Sequence, residues 1–435
     1  MNIIFLGIIL LAFFTSAYHQ LTWVPSGADD IAPMQALTTA LIEASKSSVE
    51  LAIGLVGVMA FFLGLMKVAE AGGLLHIIAR LLRPLMVRLF PDVPEDHPAM
   101  GAMIMNMSAN ALGLGNAATP FGIRAMQELD KLNPVKGTAS NAMVLFLAIN
   151  TSSVTLLPTG IIALRASAGS ADPAGIIPTT LFATLCSTTA AILAAKFYQR
   201  FFVIDAQKAS SDIDSSVGPG HIDYEVTDEL PDANSAAYPA WISYLSLLCI
   251  VAFVPLAIVY GRSIGPWIIP VFVVSLLSFG AYQGVRVYEV FVEGAKDGFN
   301  VAIKIIPYLI AILVAIAMFR ESGAMHVMIS AVGSVTILVG FPAEALPMAL
   351  LRPLSGSGAY GVVAATLQDP AIGPDSYVGY LVSTLQGSTE TTFYVLAVYF
   401  GAVQVRQVRH ALAAGLTADL VGIIAATAAC YYLYA

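Results

Sequence analysis

The chain holds 435 residues, 58% hydrophobic and 11% charged, with a formal net charge of −8 at pH 7. Soluble domains carry roughly 25% charged residues, so this composition excludes an ordinary water-soluble fold, and nothing in the charge pattern suggests a nucleic-acid surface. Apolar stretches of the ~20 residues that a helix needs to cross about 30 Å of hydrocarbon recur along the whole chain. They predict an all-α, polytopic transmembrane bundle of roughly ten crossings.

Residues 2–18 lack a basic leading stretch and a small-residue cleavage pattern, and read as a retained first helix. An amphipathic stretch over 31–48 leads into a crossing at 49–68, entered past Glu50 and ending near Lys67 and Glu70. The segment 74–90 carries Arg80, Arg83 and Arg88 and suits the interface better than the bilayer core. Residues 98–128 are apolar but punctuated by Asn, Gly and Pro, the composition of an interrupted or re-entrant helix. Crossings are expected at 141–165 and 175–200, followed by an acidic cytoplasmic linker over 204–238. Beyond it come crossings at 240–262 and 264–285, an amphipathic stretch at 289–300, and crossings at 301–319 and 324–340. A second interrupted segment at 344–368 precedes spans at 376–403 and 409–434.

The linker separates two halves, 1–203 and 239–435, that resemble each other. Glu43-Ala-Ser-Lys46 matches Glu293-Gly-Ala-Lys296, Ala52-Ile53 matches Ala302-Ile303, and Glu70-Ala-Gly72 matches Glu321-Ser-Gly323. Asn150-Thr-Ser-Ser-Val-Thr155 then aligns with Gln386-Gly-Ser-Thr-Glu-Thr391. The common order of these matches indicates an internal repeat. Placing the basic residues of short loops on the cytoplasmic side makes 49–68 run inward and 301–319 outward. The repeats are then inverted, as in many secondary transporters.

Candidate binding residues gather at the interrupted segments. Asn106 and Asn110 share one helix face, and Gly113, Gly115, Asn116, Thr119 and Pro120 follow in a stretch that frees backbone groups to find partners away from lipid. Arg352 occupies the position opposite Asn106 in the repeat, followed by Ser355 and Ser357. An arginine deep in the bilayer costs about 2.5–3.5 kcal/mol on insertion scales, so it calls for a carboxylate, Glu390 or Glu321, or a wet cavity and an anionic solute. The hydroxyls and amides of Asn150, Ser152, Ser153, Thr155, Gln386, Ser388 and Thr389 could bind sodium or a polar solute, and Glu390 could carry a proton. The alternative is that these groups bond within their own helices or to neighbouring ones.

Glu70 and Glu321 are candidate coupling residues at corresponding helix ends, where a capping role competes; His76 and His326 follow them as ordinary interfacial side chains. Asp375 and Asp419 stand near apparent helix ends and are given no role in mechanism. Cys186, Cys249 and Cys430 are isolated in apolar segments without metal-ligand spacing. No phosphate-binding loop, zinc spacing or nucleophile elbow is present, so neither an enzyme nor direct ATP coupling is expected. No cofactor is expected beyond Na+ or H+ as a coupling ion.

The stretch from Asn106 to Met126 resembles the signature of the spore maturation protein A family. Arg352-Pro-Leu-Ser-Gly-Ser-Gly-Ala359, Gly373-Pro-Asp-Ser376 and the run from Gln386 to Gly401 resemble the spore maturation protein B family. The chain therefore looks like a fusion of the two. Both belong to a nucleoside-recognition, or Gate-domain, group that is similar to parts of concentrative nucleoside transporters and of ferrous-iron transporters. The resemblance implies a transporter-like fold in a bacterial inner membrane and, for the spore proteins, a role in spore core dehydration and cortex-related maturation. The expected function is alternating-access transport of a small polar or anionic solute held in one shared cavity. A non-transporting scaffold for envelope maturation and a membrane enzyme acting on a lipid-linked substrate are the alternatives; a homo-oligomer is left open.

Overall fold

The computed structural model describes residues 2–25, 30–202, 238–327 and 340–435. The predicted acidic linker and most of the predicted crossing at 324–340 lie outside the described residues.

The described residues are nearly all helical. The first half comprises α1 (Asn2–Thr22), α2 (Pro33–Ala71), α3 (Leu74–Leu89), α4 (Pro98–Ala111), α5 (Gly115–Leu132), α6 (Asn141–Thr151), α7 (Thr159–Ser167) and α8 (Ile176–Tyr198). The second comprises α9 (Ala240–Tyr282), α10 (Val287–Glu321), α11 (Leu346–Leu351), α12 (Gly356–Gln368), α13 (Tyr377–Ser388), α14 (Thr392–Ala402) and α15 (Ala411–Tyr434). By length and composition, four described helices can cross a membrane: Phe5–Thr22, Pro33–Ala71, Pro173–Tyr198 and Ala411–Tyr434.

The long helices α2 and α10, equivalent in the repeat, pack against each other along their length. Gly64 meets Phe291, Gly294 meets Lys67 and Leu63, and Gly298 meets Ala60. Farther along, Val314 and Met318 share a cluster with Leu37 and Leu41. Ascending residues of one helix thus meet descending residues of the other, so the pair is antiparallel and the repeat is inverted. Close approach is possible because Gly64, Gly294 and Gly298 leave the contact without Cβ atoms, and a Cβ at Gly298 would overlap the Ala60 backbone.

Both interrupted segments carry a true break. Helix α4 opens with Pro98 at its first position, the His97 ring accepting from the Ala99 amide at 3.2 Å, and it ends before Gly113. That glycine has φ of 74°, the left-handed conformation that stops a helix. Its equivalent, between α11 and α12, restarts with Ser355 as N-cap, accepting from the Gly358 amide at 3.0 Å.

Three sequence expectations differ. The predicted crossings 141–165 and 376–403 are each broken, the first between α6 and α7 and the second between α13 and α14. A run of small hydroxyl residues ending in Pro158 starts the first break, and the extended Thr389 starts the second. The predicted turn between 262 and 264 does not form. Helix α9 runs through it, with no positive φ inside. Lastly, the amphipathic stretches and the crossings after them fuse into single helices, α2 and α10.

A candidate solute and coupling site at four helix breaks

Each half contributes two breaks, and backbone bonds close them on each other in the same way. In the first half the Leu156 amide donates to the Ala111 carbonyl at 3.0 Å, and in the second the Phe393 amide donates to the Pro353 carbonyl at 3.0 Å. A third bond, from the Glu390 amide to the Thr151 carbonyl at 2.8 Å, joins the halves. Exposed in lipid, these backbone groups would each cost several kcal/mol; paired inside protein they are tolerated.

Side chains extend the junction. Asn110 donates to Asn150 Oδ1 at 3.0 Å, and Asn150 donates to the Phe146 carbonyl at 3.0 Å. The buried Asn106 donates to the Ala118 carbonyl at 2.7 Å and to the Tyr399 hydroxyl at 3.2 Å, and that hydroxyl reaches Asn150 Oδ1 at 3.4 Å. Tyr399 stacks on Phe146 and crowds Gly122 so closely that a Cβ there would overlap its hydroxyl. One amide and phenol network therefore ties α4, α5 and α6 to α14.

In the second half Arg352, 6% exposed, donates to Thr391 Oγ1 at 3.0 Å and stands 3.7 Å from the half-exposed Glu390 carboxylate. Of the two carboxylates the sequence offered this arginine, Glu390 is the one beside it. Next to it lies Asp419, 4% exposed and eight residues inside α15, accepting from Thr392 Oγ1 at 2.6 Å. Arg352, Asp419, Ser388 and Thr389 line a cavity of about 10 Å³, room for roughly one water.

The remaining candidates divide. Ser152 bonds back to the Ala148 carbonyl at 3.0 Å, Ser388 to the Leu385 carbonyl at 2.9 Å, and Thr155 to the Ser153 carbonyl at 3.3 Å. Ser355 caps α12 and lies 3.5 Å from Ser357. Gln386 is half-buried and Thr119 half-buried on α5; the Asn116 side chain falls outside the described residues. Glu70 pairs with Lys67 at 3.4 Å and Glu321 is exposed, each at the C-terminal end of its helix. Because α2 and α10 are antiparallel, these two carboxylates sit at opposite ends of the pair, and no described bond links either to the network.

Among the described residues a larger space lies apart from this small cavity. An open cleft of about 660 Å³ is lined by Ser47, Glu50, Asp369 and Pro374 among others, and by none of the predicted site residues. It adjoins the second buried arginine, Arg165, which is fully enclosed and pairs with Asp375 at 3.1 Å. Burial pushes the neighbouring Asp172 carboxyl above the usual carboxylate range, with Arg165 pulling the other way.

Sequence reasoning passed over Tyr399, Asp419 and Arg165. A carboxylate inside a 24-residue apolar helix was the available signal for Asp419. It lies well within α15 and not at the helix end that the sequence suggests.

Against known families, the Gate model, described as nucleoside recognition, matches residues 52–168 and 302–406. The chain belongs to this Gate family. The two matched segments contain the two pairs of breaks, one pair in each half. Spore maturation protein A of Bacillus subtilis (strain 168) is 46% identical over 165 residues, 38% of this chain and 84% of that protein. Spore maturation protein B of the same organism is 46% identical over 157 residues, 36% of this chain and 87% of that protein. They match different parts of the Gate chain, as in a fusion of the two. A solved concentrative nucleoside transporter, CNTnw in an outward-facing state, aligns over 100% of this chain and 99% of its own at 13% identity with a TM-score of 0.38. Its long apolar helices make the Gate protein a multi-pass membrane protein.

Proposed function

We propose that this Gate protein is a secondary transporter of the bacterial inner membrane, moving a small polar or anionic solute by alternating access coupled to H+ or Na+. The observation that carries the reading is a set of buried polar atoms left without partners at the breaks. These are Asn106 Oδ1, Ser153 Oγ, Arg352 Nε, Gln386 Oε1 and Asp419 Oδ1. An unsatisfied buried polar group costs about 1–3 kcal/mol, more when charged. Several at one junction make sense where a solute, ion or water supplies the missing bonds in part of a cycle. The positive charge of Arg352 favours an anion among such solutes, and the family description adds nucleosides to the classes worth testing.

A thermal-shift screen of the purified protein against nucleosides, dicarboxylates, amino acids and sugars, with and without sodium, tests this. A ligand present at 100 times its Kd stabilises by about 2.7 kcal/mol. One class should raise Tm in the wild type and lose that effect, by tenfold or more in apparent affinity, in Arg352→Gln. If no class binds and Arg352→Gln complements a deletion fully, transport is the wrong reading. The second reading, a membrane scaffold in spore-type maturation, is favoured by the 46% identity to the spore maturation proteins and would then stand.

A further inference from the structure

We propose that Asp419 is the proton site of this protein: its carboxylate takes one proton from the aqueous phase on one side and releases it to the other. The inference rests on the transport reading for its role in coupling, and names H+ rather than Na+ as the ion.

Charge and geometry carry it. At the second-half breaks one guanidinium, Arg352, stands among two carboxylates, Glu390 and Asp419. Glu390 is 48% exposed by side chain, so water supports its charge, and it already pairs with Arg352 at 3.7 Å. Asp419 is 4% exposed, its Oδ2 holds one bond from Thr392, and its Oδ1 has no partner. The surplus negative charge therefore resides on the carboxylate least able to be solvated.

Among the described residues, the elements around α15 bring no second cation to balance it. Thr392 comes from α14, Ser388 and Thr389 from the end of α13, and Arg352 from the end of α11 with Glu390 behind it. Helices α6 and α8 bring Thr151 and Ser187, which do not titrate. A metal cation fits poorly, because the Arg352 guanidinium lines the same small space, repels a second cation and stands where oxygens of a coordination shell would be needed. A proton needs no such shell. One H+ converts Asp419 to a neutral acid that can donate through Oδ1, and its departure restores the carboxylate; no other bond changes.

Infrared difference spectra of the full-length protein in proteoliposomes, recorded while pH is stepped through the neutral range, test the site directly. The carbonyl band of a protonated carboxylic acid should grow on acidification in the wild type and in Glu390→Gln, and be lost in Asp419→Asn. Thr392→Val, which keeps the carboxyl but removes its donor, should retain the band with a displaced midpoint, and it decides the matter if Asp419→Asn does not fold. A band surviving in Asp419→Asn, a band lost in Glu390→Gln, or an unmoved midpoint in Thr392→Val overturns the assignment. In the same vesicles a trapped pH dye reports proton entry when the nucleoside, dicarboxylate, amino acid and sugar probes are added outside. Probe-dependent entry without an Asp419 band sinks the site alone, whereas an Asp419 band without any probe-dependent entry sinks the transport reading and leaves the proton site standing.

Discussion

Among the described residues two arginines are buried, and they differ in how many of their donors are bonded. Arg165 donates through Nη1 to the Pro374 carbonyl at 2.7 Å and to Ser383 at 3.4 Å. Through Nη2 it reaches Ser170 at 3.0 Å, the Asp172 carbonyl at 3.2 Å and Asp375 at 3.1 Å, and its guanidinium lies over the Tyr380 ring. The Arg352 side chain has a single hydrogen bond, to Thr391, and a loose ion pair with Glu390; the Nε of each arginine lacks a partner. Pro374, Asp375, Ser383 and Tyr380 belong to the second half and Arg165 to the first, so the more fully bonded arginine staples the halves together. Arg352 keeps more bonding capacity in reserve at the junction of the breaks. The same residue type, similarly buried, thus serves structure where most of its donors are filled and is free for function where most are not.

The largest effect is expected at Arg165. Arg165→Met removes a charge whose partners were arranged around it, takes a donor from Ser170 and from two carbonyls, and leaves Asp375 uncompensated with bonds from Ser170 and the Ala171 amide alone. Removing one member of a buried pair costs about 3–5 kcal/mol, and the 39% exposure of Asp375 puts the loss toward the lower figure. Thermal unfolding of the detergent-solubilised protein should show a Tm drop larger than for any substitution at Arg352. An unchanged Tm would mean that Arg165 staples nothing.

A smaller loss is expected at Asn150, the node of the first-half network. Asn150→Ala strips the acceptor from Asn110 and from Tyr399, leaving two donors to find water or go unpaired. About 1–3 kcal/mol should be lost, read from the same melts, and Asn110→Ala in the Asn150→Ala background should add little because the two residues share one bond. Additive losses would show that the amides act separately and that the network is not a unit.

How much of this was legible in the sequence depends on the kind of signal. The interrupted segments announced themselves, because Gly113 and Pro120 in an apolar run, or Arg352-Pro353 in another, are locally incompatible with a smooth span. The inversion was legible from loop charges and repeat order, and it reappears as the antiparallel contact of α2 with α10. The breaks at 152–158 and 389–391 were not legible as breaks. Hydropathy averages over a window longer than the break, and what stabilises each is a bond to a distant segment, such as Leu156 to Ala111 or Glu390 to Thr151. Asp419 was misread for a related reason: one acidic residue amid alanines looks like a helix end until the bond to Thr392 places it at the centre.

The smallest effects should come from the two glutamates that repeat symmetry singles out, and they sharpen the contrast between the ends of the molecule and its breaks. Glu70 and Glu321 occupy the last turns of α2 and α10, where the carbonyl end of the helix disfavours a negative charge by about 0.3–1 kcal/mol. Glu70 is compensated by Lys67, an i,i+3 pair with both side chains about one-third exposed. Such a pair contributes only about 0.2–0.5 kcal/mol. Glu70→Gln should therefore be nearly neutral in thermal melts. Glu321→Gln, losing a repelled charge and no described ion pair, should be neutral or slightly stabilising. Neither change should alter probe-dependent proton entry, because neither carboxylate touches the network at the breaks. If either substitution abolishes proton entry while leaving Tm intact, coupling belongs to the helix ends, and the unsatisfied arginine at the breaks loses its claim to be the working centre.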